Sequence, residues 1–341
     1  MNSPFSPRPA AANASADLLA LIEDAGRKLA AIRRAVGDVI FGQDEVINQI
    51  LAVILSGGHM LLIGVPGLAK TRLVETLGIA LGLNARRIQC TPDLMPSDIL
   101  GAEVLEESDT GKRSFRFVPG PVFSQLLMAD EINRASPRTQ SALLQAMQEH
   151  RITVAGHDYP LPAPFHVMAT QNPLEQEGTY PLPEAQLDRF LLQIDISYPD
   201  LDAERRMLLA TTGAGEAAVK PVITAAELQG LQNLVRRMPI GEKVVEGILA
   251  LVRNGRPDTS DIEIVKKYVV WGPGPRASQA LSLAARARAL IDGRLAPSLD
   301  DVTALLHPVM QHRMALGFSA RAEGVRMEDV LGAMTQAAAA L

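Results

Sequence analysis

Gly64-Val65-Pro66-Gly67-Leu68-Ala69-Lys70-Thr71 stands between the apolar run Met60–Ile63 and a segment in which Leu73, Val74, Leu77 and Leu81 share one helical face. Strand, glycine-bearing loop and helix start together predict a phosphate cradle, a Walker A element. Backbone N–H groups and the helix dipole meet the phosphates, Lys70 reaches the β and γ oxygens, and the Thr71 hydroxyl is offered to Mg²⁺. Residues Gly64 to Arg72 are therefore the expected nucleotide contacts, with ATP and Mg²⁺ as cofactors. The general pattern has glycine immediately before the lysine, and this chain has Ala69. With a helical φ there, the methyl costs little.

Working outward, further apolar runs occupy residues 87–90, 126–129, 166–169 and 191–196. They are continuous rather than alternating, which predicts parallel strands covered on both faces. Helical patterns lie between them, so the expected class is α/β, a doubly wound parallel sheet spanning residues 15–200. After residue 200 the strand signal fades and helical periodicity fills residues 203–210, 225–238, 243–253, 276–291 and 299–312, predicting an all-helical second domain over residues 201–341.

The N-terminal region starts with residues 1–14, rich in Pro, Ala, Ser and Asn, without a basic n-region or an apolar h-region. They read as a disordered tail rather than a secretory signal, followed by an amphipathic helix from about Ser15 that carries Leu18, Leu19, Ile22, Leu29 and Ile32. Residues 50–69 have the apolar length of a membrane span, but Gly57-Gly58-His59 and Pro66-Gly67 break them into helix, turn and strand. No transmembrane segment is expected. The formal charge of −5, spread along 341 residues, gives no footprint for nucleic acid. The single cysteine, Cys90, reads as a small buried hydrophobe and fits a cytoplasmic protein.

Leu126-Leu127-Met128-Ala129-Asp130-Glu131 is an apolar run closed by two acids, a Walker B pattern. Side chains alternate across a strand, so Asp130 is expected in the Mg²⁺ shell while Glu131 faces the γ-phosphate and orients or deprotonates the attacking water. The run at 166–169 ends in Thr170-Gln171-Asn172. Gly64, Asp130 and Asn172 each follow a predicted strand, and in a parallel sheet those ends share the edge where open α/β folds bind ligands.

Other residues fall elsewhere. Arg189 precedes the last predicted strand, so it belongs to the opposite edge. It either reaches a neighbouring subunit's γ-phosphate or pairs with Asp188 at the surface. Gly272-Pro273-Gly274-Pro275 opens a helix with Arg276 in its first turn, where a cation is disfavoured unless an anion is near. An ordinary solvated arginine is the alternative. Two hairpins are predicted, at 102–118 around a turn at 108–111, and at 151–161. The second sets Ile152 and Val154 opposite Tyr159 and Leu161, with His157 as an exposed turn residue at its tip.

Together these residues resemble the MoxR family of AAA+ ATPases, from Phe41-Gly42-Gln43 to the end of the chain. The most specific stretches are the loop at 64–71, Ala129-Asp130-Glu131-Ile132-Asn133-Arg134 with its continuation to Glu149, residues 169–190 ending in Leu187-Asp188-Arg189-Phe190, and Gly272 to Gln279. Ala69 is usual in that family. The resemblance implies Asn172 as sensor 1, Arg189 as arginine finger, Arg276 as sensor 2, Ile40 to Gln43, Gly42 and Gln43 among them, beside the adenine, and Arg138 as a basic residue that acts across an interface. It implies that the hairpins face a central pore, that the helical domain is a lid, and that the chain forms a homo-oligomeric, hexameric ring. It further implies chaperone-like work on a protein client with a von Willebrand factor A domain partner. The competing expectation is a nucleotide-gated assembly scaffold with little turnover.

Overall fold

The apolar runs form one parallel sheet because each has a hydrophobic layer to bury on either side. In the computed structural model, which describes residues 9–107, 113–175, 177–213 and 218–338, the strands are β1 (Met60–Ile63), β2 (Ala85–Gln89), β3 (Leu126–Asp130), β4 (His166–Gln171) and β5 (Leu192–Asp195). Their order is β2-β3-β4-β1-β5, and every pairing is parallel.

Alternation assigns the side chains to two cores. Met60, Leu62, Leu126, Met128 and Met168 enter the larger, while Leu61, Leu127, Ala129, Val167 and Ala169 enter the smaller on the other face. β2 departs from the expectation of two-sided cover. It starts at Ala85 and is an edge strand with Arg86, Arg87 and Gln89 exposed, the polar dressing that keeps an edge from pairing further. Cys90, just after it, is buried as expected. Burial, and then Asp130 and Glu131, push its thiol up to about 12.

The helices that flank the sheet are α1 (Pro9–Gly37), α2 (Asp44–Ser56), α3 (Lys70–Ala80), α4 (Pro137–Glu149) and α5 (Leu201–Thr212). The first of them begins at Pro9 rather than near Ser15. Proline suits the first helical turn and the alanines after it favour helix, so of the expected tail only residues 1–8 remain, outside the described residues. Gly57, left-handed at φ 75°, ends α2 and separates it from β1. Among the described residues no helix is long and apolar enough to cross a membrane.

Beyond α5 lie α6 (Ala225–Arg237), α7 (Glu242–Asn254), α8 (Pro275–Ile291), α9 (Leu299–Met310) and α10 (Met327–Ala338), with a short ladder between Val269–Trp271 and Ala315–Leu316. Small buried residues of α8, Ala277, Ala280, Ala284 and Ala285, let it pack closely in the same core as α2.

Both hairpins form. Gly101–Glu107 pairs with Arg113–Pro119, and the turn expected at 108–111 lies outside the described residues. In the second, the expected facings of Ile152 with Leu161 and Val154 with Tyr159 are both shifted by two residues: Ile152 faces Tyr159 and Val154 faces His157. The cause is a two-residue turn at Ala155 and Gly156, φ 48° and 82°, which fixes a tighter register and makes His157 the first residue of the return strand. Phe117 stacks on Tyr159 with ring centroids 4.0 Å apart, joining the two hairpins.

Candidate active site

The C-terminal edge of the sheet carries a cleft of about 480 Å³ lined by Pro66 to Arg72, Asp130, Glu131 and Asn172. Lys70 opens α3, and its Nζ donates to the Gly64 carbonyl. Burial pushes the Lys70 pKa below its ordinary value, and Asp130 and Glu131 oppose that shift. Thr71 follows on the same turn. Ala69 does not have the helical φ expected of it. Its backbone is left-handed, φ 53° and ψ 26°, because the loop must turn sharply into α3. Such a conformation costs a residue with a Cβ about 1–2 kcal/mol.

Asp130 is the last residue of β3, and its side chain is 13% exposed. Oδ1 accepts from Thr170 Oγ1 at 2.6 Å and Oδ2 from Arg87 Nη2 at 2.6 Å. Glu131 lies beyond the strand in a left-handed conformation, φ 55°. Its direction is therefore set by that turn and not by strand alternation as expected. The Glu131 N–H donates to Thr170 Oγ1 at 2.9 Å, while its Oε2 accepts from Gln89 at 2.8 Å and Arg134 at 3.2 Å. One hydroxyl thus sets both acids. Asn172, one residue past β4, is 5% exposed and accepts from the Leu174 N–H.

An apolar pocket of about 360 Å³ adjoins the cleft and shares Pro66 to Ala69 and Arg72 with it. Val39, Ile40, Phe41 and Gln43 form one wall, and Tyr198, Pro199, Glu204, Met207 and Thr211 the other. Gln43 Nε2 donates to the Ser197 carbonyl, tying the walls together. Gly42 is not in the lining. At φ 68° it lets the chain turn against α5, where a Cβ would come within 2.5 Å of the Ala203 Cβ. Gly64 and Val65 likewise support the loop without lining either space.

Arg189 and Arg276 lie together at the opposite edge. They line a cavity of about 210 Å³ with Gln148, Asp188 and Arg313. Arg189 Nε donates to Gln148 Oε1 at 3.1 Å. Asp188 takes Arg313 at 2.7 Å and lies 3.7 Å from Arg276, so the surface pair Arg189–Asp188 does not form. Arg138 is exposed at the second position of α4 and lines neither the cleft nor this cavity.

The family described as "ATPase family associated with various cellular activities (AAA)" matches residues 59–192, and the AAA lid domain matches residues 262–333. Over 302 residues the chain is 40% identical to chaperone MoxR1 of Mycobacterium tuberculosis, covering 88% of this chain and 79% of that one. The chain belongs to the MoxR family of AAA+ ATPases. It is 31% identical to protein MoxR of Paracoccus denitrificans, with 89% and 92% of the two chains covered. A solved Cytophaga hutchinsonii chain described as a candidate ATPase is 35% identical and superposes with a TM-score of 0.86 over 95% of this chain and 97% of that one.

Within this MoxR-family site, sequence reasoning missed Arg87, Gln89, Arg134, Gln148 and Arg313. Arg87 and Gln89 are two apart on β2, and Gln89 is in register with Asp130. Read as an exposed edge strand, that spacing would have placed both beside the acids. For Arg313, 125 residues from Asp188 in sequence, no local signal exists.

Proposed function

We propose that this chain binds Mg²⁺ and ATP in the cleft of Lys70 and hydrolyses the γ-phosphate, with residues 15–200 as the nucleotide-binding domain and 201–341 as the lid. The observation that carries the reading is that Lys70, Thr71, Asp130, Glu131 and Asn172 line one cleft, next to an apolar pocket sized for a base. The pocket takes the adenine between Phe41 and α5. Lys70 neutralises the β and γ oxygens. The Thr71 hydroxyl and Asp130 are hard oxygen donors that fit Mg²⁺, which supplies charge neutralisation across the phosphates when bound. Glu131, freed from Gln89 and Arg134, orients and deprotonates the attacking water, and Asn172 fixes that water beside the γ-phosphate.

Arg189 and Arg276 lie on the far edge of the sheet, so their charge serves a phosphate only on a second copy. A closed ring, a hexamer in this family, supplies that copy for every site, with the exposed Arg138 as a further basic contact across the interface. We assign the ring the remodelling or activation of a protein client, with a von Willebrand factor A domain protein as partner and the cytoplasm as its place. The relative named chaperone MoxR1 supports the chaperone part.

The test is Glu131→Gln. It should bind ATP as the unaltered chain does and release almost no phosphate, while normal turnover in this variant would remove Glu131 from the reaction. The second reading, a nucleotide-gated scaffold, draws on the grip of Gln89 and Arg134 on Glu131. It predicts assembly that follows nucleotide binding with negligible turnover at every protein concentration.

A further inference from the structure

Arg313 is only 2% exposed and heads the fully buried side chains by volume. It closes the short turn Gln311–Arg313 that follows α9. Its guanidinium makes five bonds. Nε donates to Asp188 Oδ1 at 2.7 Å. Nη1 donates to the Val309 and Leu191 carbonyls at 2.6 and 3.1 Å, and Nη2 to the Phe190 and Asp188 carbonyls at 2.6 and 3.4 Å. All but the bond to Val309 fall on residues flanking Arg189. The same turn adds two more contacts, His312 Nε2 with the Phe190 carbonyl at 3.0 Å and Gln311 Nε2 donating to the Gln193 carbonyl at 3.0 Å.

A guanidinium is a costly way to fill space. Taking the charge out of water costs several kcal/mol before pairing, and an apolar side chain would fill the volume without that cost. What the planar fork offers is direction, since its donors hold several acceptors in one fixed geometry. Here the acceptors are the backbone on both sides of Arg189. Asp188 extends the arrangement: Oδ1 takes Arg313, and Oδ2 lies 3.7 Å from Arg276 at the start of α8. One carboxylate thus ties the turn after α9, the first turn of α8 and the strand lead-in that bears Arg189.

We propose that Gln311–Arg313 is a positioning element for the arginines that face a neighbouring copy, with Arg313 its principal residue. Arg313 touches no substrate. It fixes the backbone from Asp188 to Leu191 so that Arg189 and Arg276 are presented together, and it makes the placement of Arg189 follow any movement of the helical region. The inference rests on the reading of Arg189 as acting on a second copy's nucleotide.

The experiment uses full-length Arg313→Lys, which keeps the charge but cannot span the Asp188, Phe190 and Leu191 acceptors from a single ammonium. Arg189→Ala and Lys70→Ala subunits are run beside it. Expected are unchanged affinity for a fluorescent ATP analogue, unchanged assembly, and turnover reduced about 10- to 100-fold, the scale set by displacing a reacting group by about 1 Å. Mixing with Lys70→Ala subunits, which carry an intact Arg189 and Arg313, should restore part of the turnover. Full turnover in Arg313→Lys overturns the proposal. So does loss of nucleotide affinity in parallel with turnover, or failure of mixing to restore turnover where Arg189→Ala mixtures do recover. Undiminished turnover of Arg189→Ala itself would instead remove the reading beneath, and the positioning role with it. Should Arg313→Lys not fold, Gln311→Ala decides: a several-fold loss recovered by the same mixing supports the proposal, and wild-type turnover overturns it.

Discussion

The Gln89 side-chain amide donates to the Glu131 carboxylate at 2.8 Å, across from an edge strand to the acid assigned to water activation. Its neighbour Arg87 holds Asp130 in the same way at 2.6 Å. On the proposed reading, the end of β2 competes with Mg²⁺ for Asp130 and with the attacking water for Glu131, and a productive cycle releases that grip.

Gln89→Ala tests the competition. A hydrogen bond to a charged group at this partly open site has a net worth of about 1 kcal/mol, or about fivefold in an equilibrium. Basal phosphate release should rise by up to that factor with ATP affinity little changed. Unchanged or lower release would show that Gln89 does not restrain Glu131.

Ala69→Gly tests the loop conformation. Removing the left-handed penalty of about 1–2 kcal/mol, less the entropy glycine adds to the unfolded chain, leaves about 0.5–1 kcal/mol of stabilisation. The urea midpoint should rise accordingly, and a fall would contradict the positive φ at this position.

Stability should fall with acid through buried histidines. His59 Nε2 donates to the Met147 carbonyl and its Nδ1 accepts from the Val167 N–H, while His166 Nδ1 donates to the Gly58 carbonyl and its Nε2 accepts from the Gln232 amide. Burial, their largest cause of shift, holds His59 at about 3 and His166 at about 4. Unfolded histidine protonates near 6.5, so the unfolded chain binds more protons once the pH drops below that value, and stability is lost from there down to the folded values. At pH 5 the two together should cost about 4 kcal/mol relative to pH 7. Denaturant unfolding at both pH values measures it, and a pH-independent midpoint would contradict the neutral burial of these rings.

Much of the architecture was legible because its causes are local. Loop 64–71 and the runs at β1, β3 and β4 announce themselves through glycine placement and two-sided burial, and the parallel sheet then forces Lys70, Asp130 and Asn172 onto one rim. What escaped was set by tertiary context. The φ of Ala69 is fixed by how the loop enters α3, and that of Glu131 by the turn after β3, neither written in residue type. Arg87 and Gln89 belong to a run expected to be covered on both faces, and only its place at the sheet edge brings them beside the acids. The far wall of the apolar pocket comes from α5, and Arg313 finds Asp188 only when the helical region docks on the sheet.

The most direct measurement of the central claim is a structure of Glu131→Gln assembled with ATP and Mg²⁺. The account predicts the triphosphate in the cleft of Lys70, Thr71 and Asp130, with Arg189 of an adjoining copy directed at the γ-phosphate. Phosphates bound away from Lys70, or Arg189 left without a nucleotide from any neighbouring copy, would contradict it.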